Sequence, residues 1–107
     1  MTNAPRADLP IEVSSNLDSS GNYTSAWIDS ADILSVRVVY YSGVRAIGIA
    51  IDESSDETNL ITTPPTNPVP ATYSGVANFV VSARYFRLNI SGGGAAAAFW
   101  ASIRNVT

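Results

Sequence analysis

Histidine, cysteine and lysine are all missing from this 107-residue chain. Without histidine or cysteine, neither a Ser-His-Asp nor a Cys-His arrangement can be assembled, and without lysine a Ser-Lys dyad is excluded too. The absence of cysteine also removes disulfides and thiolate metal sites as sources of stability, and it leaves the redox compartment unreadable. Charge is scarce: 14% of residues are charged and the net charge is −3, which argues against nucleic acid or an anionic membrane as the main partner. Long apolar runs are lacking as well. Ala95 to Ala101, the most apolar stretch, falls far short of the roughly 20 residues a membrane helix needs. The start, Met1 to Arg6, has neither the basic opening nor the apolar run of a signal peptide. A soluble protein is expected, one that would leave a cell by assembly or lysis.

What is present is an alternation of apolar and polar residues, cut at short intervals by turn residues. The length suits one domain able to bury roughly 65% of its unfolded surface. Residues 1–8 read as a flexible N-terminal arm and residues 9–107 as a single β-sandwich domain. Leu9 to Leu17 reads as a first strand, with Ile11 and Val13 on one face and Pro10 placing it at an edge. Asp18 to Gly21 is a turn, Asn22 to Ile28 a second strand with Tyr23 and Trp27, and Asp29 to Asp32 another turn. Ile33 to Tyr41 is the clearest strand, with Leu34, Val36, Val38 and Tyr40 on the face expected to be buried. Ser42-Gly43 makes a hairpin turn, and Arg45 to Ile51 follows with Ile47, Ile49 and Ile51 inward and Ala46, Gly48 and Ala50 outward.

Asp52 to Glu57 reads as a charged turn and Thr58 to Thr63 as a short strand. The prolines at 64, 65, 68 and 70 predict an extended crossing loop over 64–72. Val76 to Ala83 is expected to be a strand of irregular register. Arg84 to Ser91 alternates Phe86, Leu88 and Ile90 against Tyr85, Arg87 and Asn89, and after Gly92 to Gly94 the closing strand Ala95 to Val106 points Phe99, Ala101 and Ile103 inward. Seven to eight short strands at this spacing predict an all-β, antiparallel, jelly-roll-like sandwich.

Few groups remain that could carry chemistry. Asp29, Asp32, Asp52 and Glu53 could supply a glycosidase pair, but all fall in predicted turns of a small domain with no evident cleft, so no catalytic residue is assigned. The run Asp52 to Glu57 offers oxygen ligands for Ca²⁺. Its spacing is not that of an EF-hand, and a solvated hairpin tip is the plainer reading. Ser91 to Ala95 lacks the lysine and the strand-to-helix setting of a phosphate-binding loop. Three Asn-x-Ser/Thr sequons, at Asn22, Asn89 and Asn105, fit chance in a Ser/Thr-rich chain. No cofactor or metal is expected.

Two features point to binding instead. Trp27, Trp100, Tyr41 and Tyr85 fall on outward or unassigned faces, and exposed aromatics stack on sugars. Ala46, Gly48 and Ala50, and separately Ala96 and Ala98, form smooth uncharged surfaces; these invite association unless an arm or loop of the same chain covers them. All six basic residues are arginine, whose planar fork suits fixed contacts, although a GC-rich genome produces the same bias.

The run Asn22-Tyr-Thr-Ser-Ala-Trp27-Ile-Asp29, then Ser35-Val-Arg-Val38, then Ala83-Arg-Tyr-Phe-Arg-Leu88 and finally Ala98-Phe-Trp-Ala-Ser-Ile103 resembles small β-sandwich modules of tailed-phage virion proteins. The likeness spans about Asn22 to Ile103 and is most like head decoration (cement) proteins; its motifs are strand patterns, shared with many carbohydrate-binding and adhesive jelly rolls. The resemblance implies a non-enzymatic structural protein, made in the host cytoplasm and carried on the capsid surface of a bacteriophage. It implies as partners the major capsid protein and further copies of the chain, as homotrimer or homodimer, with neither nucleic acid nor membrane. Pro5 and Arg6 of the arm and Leu9 just after it, with Ala46, Gly48 and Ala50, are the expected contact residues. The alternative is a glycan- or host-receptor-binding module stacking its ligand on Trp27, Trp100 and Tyr85.

Overall fold

The computed structural model describes residues 11–16, 21–31, 33–42, 47–67, 74–91 and 98–106. Pro5, Arg6, Leu9, Pro10, Ala46, Ala96 and the glycine turn at 92–94 lie outside the described residues. Nine strand segments occur in the described part: β1 (Ile11–Asn16), β2 (Tyr23–Thr24), β3 (Ile28–Asp29), β4 (Ser35–Ser42), β5 (Gly48–Ser54), β6 (Leu60–Thr63), β7 (Ser74–Val80), β8 (Tyr85–Ser91) and β9 (Ala98–Asn105). They form two antiparallel sheets, one ordered β1-β9-β4-β7 and the other β2-β8-β5-β6 with β3 also on β8.

The pairings are nested. β5 pairs β6, β4 pairs β7, β2 and β3 pair β8, and β1 pairs β9. The chain is thus one long hairpin, with its apex between β5 and β6, rolled so that β9 also meets β4 and β8 also meets β5. That is the wrap of a jelly roll, with β2 and β3 as two halves of one interrupted strand.

The core lies between the sheets, because each strand alternates inward and outward side chains. Val36, Val38, Tyr40, Ala77, Phe79, Phe99, Ala101 and Ile103 come from one sheet, and Ile28, Ile49, Ile51, Phe86, Leu88 and Ile90 from the other. Tyr23 packs edge-on against Phe99 across the layers, with ring centroids 4.9 Å apart.

Local hydrogen bonding explains where the strands depart from expectation. The expected strand over Asn22 to Ile28 is broken at 25–27. There the Ser25 hydroxyl accepts the Leu88 N–H (2.9 Å) while the Ser25 N–H donates to the Leu88 carbonyl (3.0 Å). A side chain replaces a main-chain acceptor, so the ladder pauses and Trp27 leaves the regular register. Leu34, expected in the core, is 63% exposed, and Ile33 is buried in its place. A turn closed from the Ile33 N–H to the Ser30 carbonyl (2.6 Å) sets this parity, and Ala31 in it takes φ 45°. Ser30 anchors the turn, its hydroxyl lying 2.8 Å from the Ala83 and Arg84 carbonyls.

The largest departure concerns the acidic run. Asp52 and Glu53 are strand residues of β5, only 3% and 8% exposed, and only residues 55–59 form the hairpin tip. Asp56 organises that tip by accepting the Thr58 and Asn59 N–H groups (2.9 and 2.8 Å) and the Asn59 side-chain amide (2.8 Å). After β6, Pro64 and Pro65 are irregular as expected, but Thr66 and Asn67 dock on the outer edge of β7. Thr66 N–H donates to Asn78 O, Asn67 Oδ1 accepts Asn78 N–H (both 2.7 Å), and Asn67 Nδ2 donates to Val76 O (3.0 Å). The open edge of the four-stranded sheet is blunted at this point.

Candidate interaction surfaces

The two outward faces of the sandwich differ in chemistry. On the five-stranded sheet, β5 presents Gly48, Ala50, Asp52 and Ser54 outward, opposite Ser91, Asn89, Arg87 and Tyr85 of β8. Asp52 is the centre. Its Oδ1 accepts Thr62 Oγ1 (2.9 Å) and Asn89 Nδ2 (3.0 Å), and its Oδ2 accepts Arg87 Nε (2.9 Å). Burial pushes the Asp52 carboxyl up, but the bonds from Asn89, Arg87 and Thr62 and the arginine charge together hold it below the usual carboxylate range. The Arg87 guanidinium in turn lies 4.3 Å from the centre of the Trp27 ring, a cation–π contact that also covers the ion pair. Tyr85 is half-buried beside Arg84, 5.1 Å away. Ala50 and Gly48 therefore lie beside a polar network, and a Cβ on Gly48 would meet the Ser91 hydroxyl at 2.9 Å. The stripe expected to be smooth is already lined by Ser91 and Asn89.

Glu53, one residue on, points the other way and closes the end of the sandwich. Its Oε1 accepts the N–H groups of Ser82 (2.6 Å) and Ala83 (3.0 Å), and its Oε2 accepts Thr63 Oγ1 (2.7 Å). A hollow of about 280 Å³ beside it is lined by Ser54, Asn59, Ile61 and those two backbone positions. Asp29, a third candidate for hydrolysis, accepts the Ala31 N–H (2.9 Å) and holds a turn; Asp32, the fourth, lies outside the described residues. Asp52, Glu53 and Asp29 are each committed to the fold. Among the described residues no group of three or more acidic side chains could hold a metal ion.

The four-stranded sheet has a different outward face. Tyr41 pairs with Trp100, Val39 with Ser102, and Arg37 with Arg104, in three successive rows across β4 and β9. Tyr41 and Trp100 are 45% and 46% exposed and lie nearly parallel, with an interplanar angle of 22° and centroids 6.4 Å apart. Val76 and Val80 of β7 add exposed apolar surface. Arg37 donates to Asn78 Oδ1 (3.1 Å), and neither it nor Arg104 meets a carboxylate among the described residues. The one acidic residue in this sheet, Glu12, lies on edge strand β1 opposite Ser102 in register. The Ser102 hydroxyl is buried without a hydrogen-bond partner among the described residues.

The structure thus separates the three aromatics expected to act together. Trp100 lies on one outward face, Trp27 and Tyr85 on the other, and Trp27 is occupied by Arg87. Strand alternation alone places Tyr41 and Trp100 outward; their adjacency follows only from the pairing of β4 with β9. Compared with known proteins, the chain matches no family model and no curated relative.

Proposed function

We propose that the chain is a non-enzymatic virion structural protein, a capsid decoration (cement) protein that associates with itself and bridges capsid subunits on the phage head. The observation that carries this reading is the outward face of the four-stranded sheet. It combines an exposed Tyr41–Trp100 pair, exposed Val76 and Val80, and two arginines without carboxylate partners among the described residues. Such a face has the composition of an interface centre, where aromatics and arginine are enriched. The resemblance to tailed-phage modules supports the same reading, since its quoted motifs lie largely on β2, β3, β4, β8 and β9. Bridging acts by sum: each modest contact adds one more link that must break before a shell expands, and linked contacts multiply.

The test is the protein content of virus particles purified from the host that carries the gene. Stoichiometric copy number on intact heads, with shells that burst at lower temperature once the chain is removed, is the expected result. Absence from purified particles would sink the proposal. A second reading, glycan binding, is favoured by the Tyr41–Trp100 platform alone; a glycan array with Trp100→Ala as control decides it.

A further inference from the structure

The rows of the four-stranded sheet's outward face have a self-complementary order. Tyr41 and Trp100 form an aromatic end, Val39 and Ser102 the middle, and Arg37 and Arg104 a cationic end. The middle row is two residues from each end on both strands, so the ends are about 13 Å apart and equidistant from it. We propose that two copies of the chain pack these faces together about a two-fold axis through the Val39–Ser102 row. Each copy's Arg37 and Arg104 then lie over its mate's Tyr41 and Trp100. This deepens the self-association part of the proposed function and specifies where and how it occurs.

Three considerations select a second copy as the occupant. A two-fold contact requires a patch complementary to its own inverse, and a strip with arginines at one end and aromatics at the other meets that requirement. The opposite orientation, arginine over arginine, would gather four guanidinium groups at one place. Within one copy Arg37 and Arg104 already face each other directly, an unfavourable like-charge pair that stacking on the mate's rings would turn to use.

Size sets the strength. Four strands of this length give a face of roughly 26 by 19 Å, so about 500 Å² per copy and about 1,000 Å² in total, the lower end for specific interfaces. The dimer is therefore concentration-dependent in solution and gains its persistence where copies are held close together on a shell.

Sedimentation equilibrium of the purified chain across a hundredfold concentration range tests this. A reversible monomer–dimer equilibrium is expected. Because each residue enters a two-fold interface twice, Trp100→Ala and Arg104→Glu should each raise the dissociation constant by at least about tenfold. Their unfolding midpoints, measured alongside, establish that the monomer is intact. Exchanging the two β9 ends in one chain, Trp100→Arg with Arg104→Trp, should restore dimerisation, because on each strand an arginine again lies over an aromatic ring of the mate.

A monomer at every concentration overturns the proposal. So does a dimer indifferent to both single variants, which would place self-association on another surface, and so does a trimer. Glycan binding lost with Trp100→Ala in a strictly monomeric chain gives the face a different occupant. None of these results bears on whether the chain is found on virus particles, so the two proposals fail separately.

Discussion

The two outward faces are built from the same kinds of residue and reach opposite states. On the five-stranded sheet, Asp52 collects Thr62, Asn89 and Arg87, and Trp27 covers the arginine. On the four-stranded sheet, an aromatic pair and an arginine pair stand two rows apart and do not meet. The first face uses its polar and aromatic groups to complete the monomer; the second leaves them open. An aromatic or an arginine on a sheet thus tells little about its role until its cross-strand neighbours are known.

Stability measurements can break that contrast. Asp52→Ala should have the largest effect, about 2–3 kcal/mol, because it strands three donors, among them a partly exposed guanidinium; a loss of unfolding free energy below about 0.5 kcal/mol by urea titration would contradict a completed network. Trp27→Ala should cost about 1–2 kcal/mol by uncovering Arg87, read from the same titration. Trp100→Ala should cost less, about 0.5–1 kcal/mol, the worth of an exposed cross-strand pair. In dilute, monomeric conditions Arg104→Ser should fall within about 0.5 kcal/mol of zero or slightly stabilise, since it removes a like-charge pair.

Acid sharpens the comparison further. The Asp52 carboxyl titrates lower in the folded chain than in the unfolded one. Its contribution is therefore whole at neutral pH and is lost as pH falls below about 4, through the folded value. The stability gap between the natural chain and Asp52→Asn should close over that window, whereas the gap for Trp100→Ala should stay constant.

Much of the sandwich was legible because periodicity reports burial. Ile47, Ile49 and Ile51, then Phe86, Leu88 and Ile90, then Phe99, Ala101 and Ile103 alternate without interruption, and all are buried. Periodicity failed where a side chain took over a main-chain role. The Ser25 hydroxyl breaks the second strand and Ser30 sets the turn that exposes Leu34. The acidic run misled for a related reason. Six consecutive polar residues read as a tip, yet the partners that draw Asp52 and Glu53 into the structure come from Thr62, Arg87, Asn89, Ser82 and Ala83, which nothing local reveals. The open face was half legible: outward parity was readable for Tyr41 and Trp100, their adjacency was not.

The nested pairing has a kinetic consequence. Among strands that pair with each other, only β5 and β6 are joined by a short connection, residues 55–59; each later pair must close around the one already formed, and β1 meets β9 last. Loop-closure entropy favours zippering outward from that apex. Substitutions near Asp56 should then slow refolding, whereas those between β1 and β9 should chiefly hasten unfolding, a division that stopped-flow chevron plots would expose. A chain built this way adds its outermost strands at the end, so the sheet whose outward face is left open is also the last to be completed.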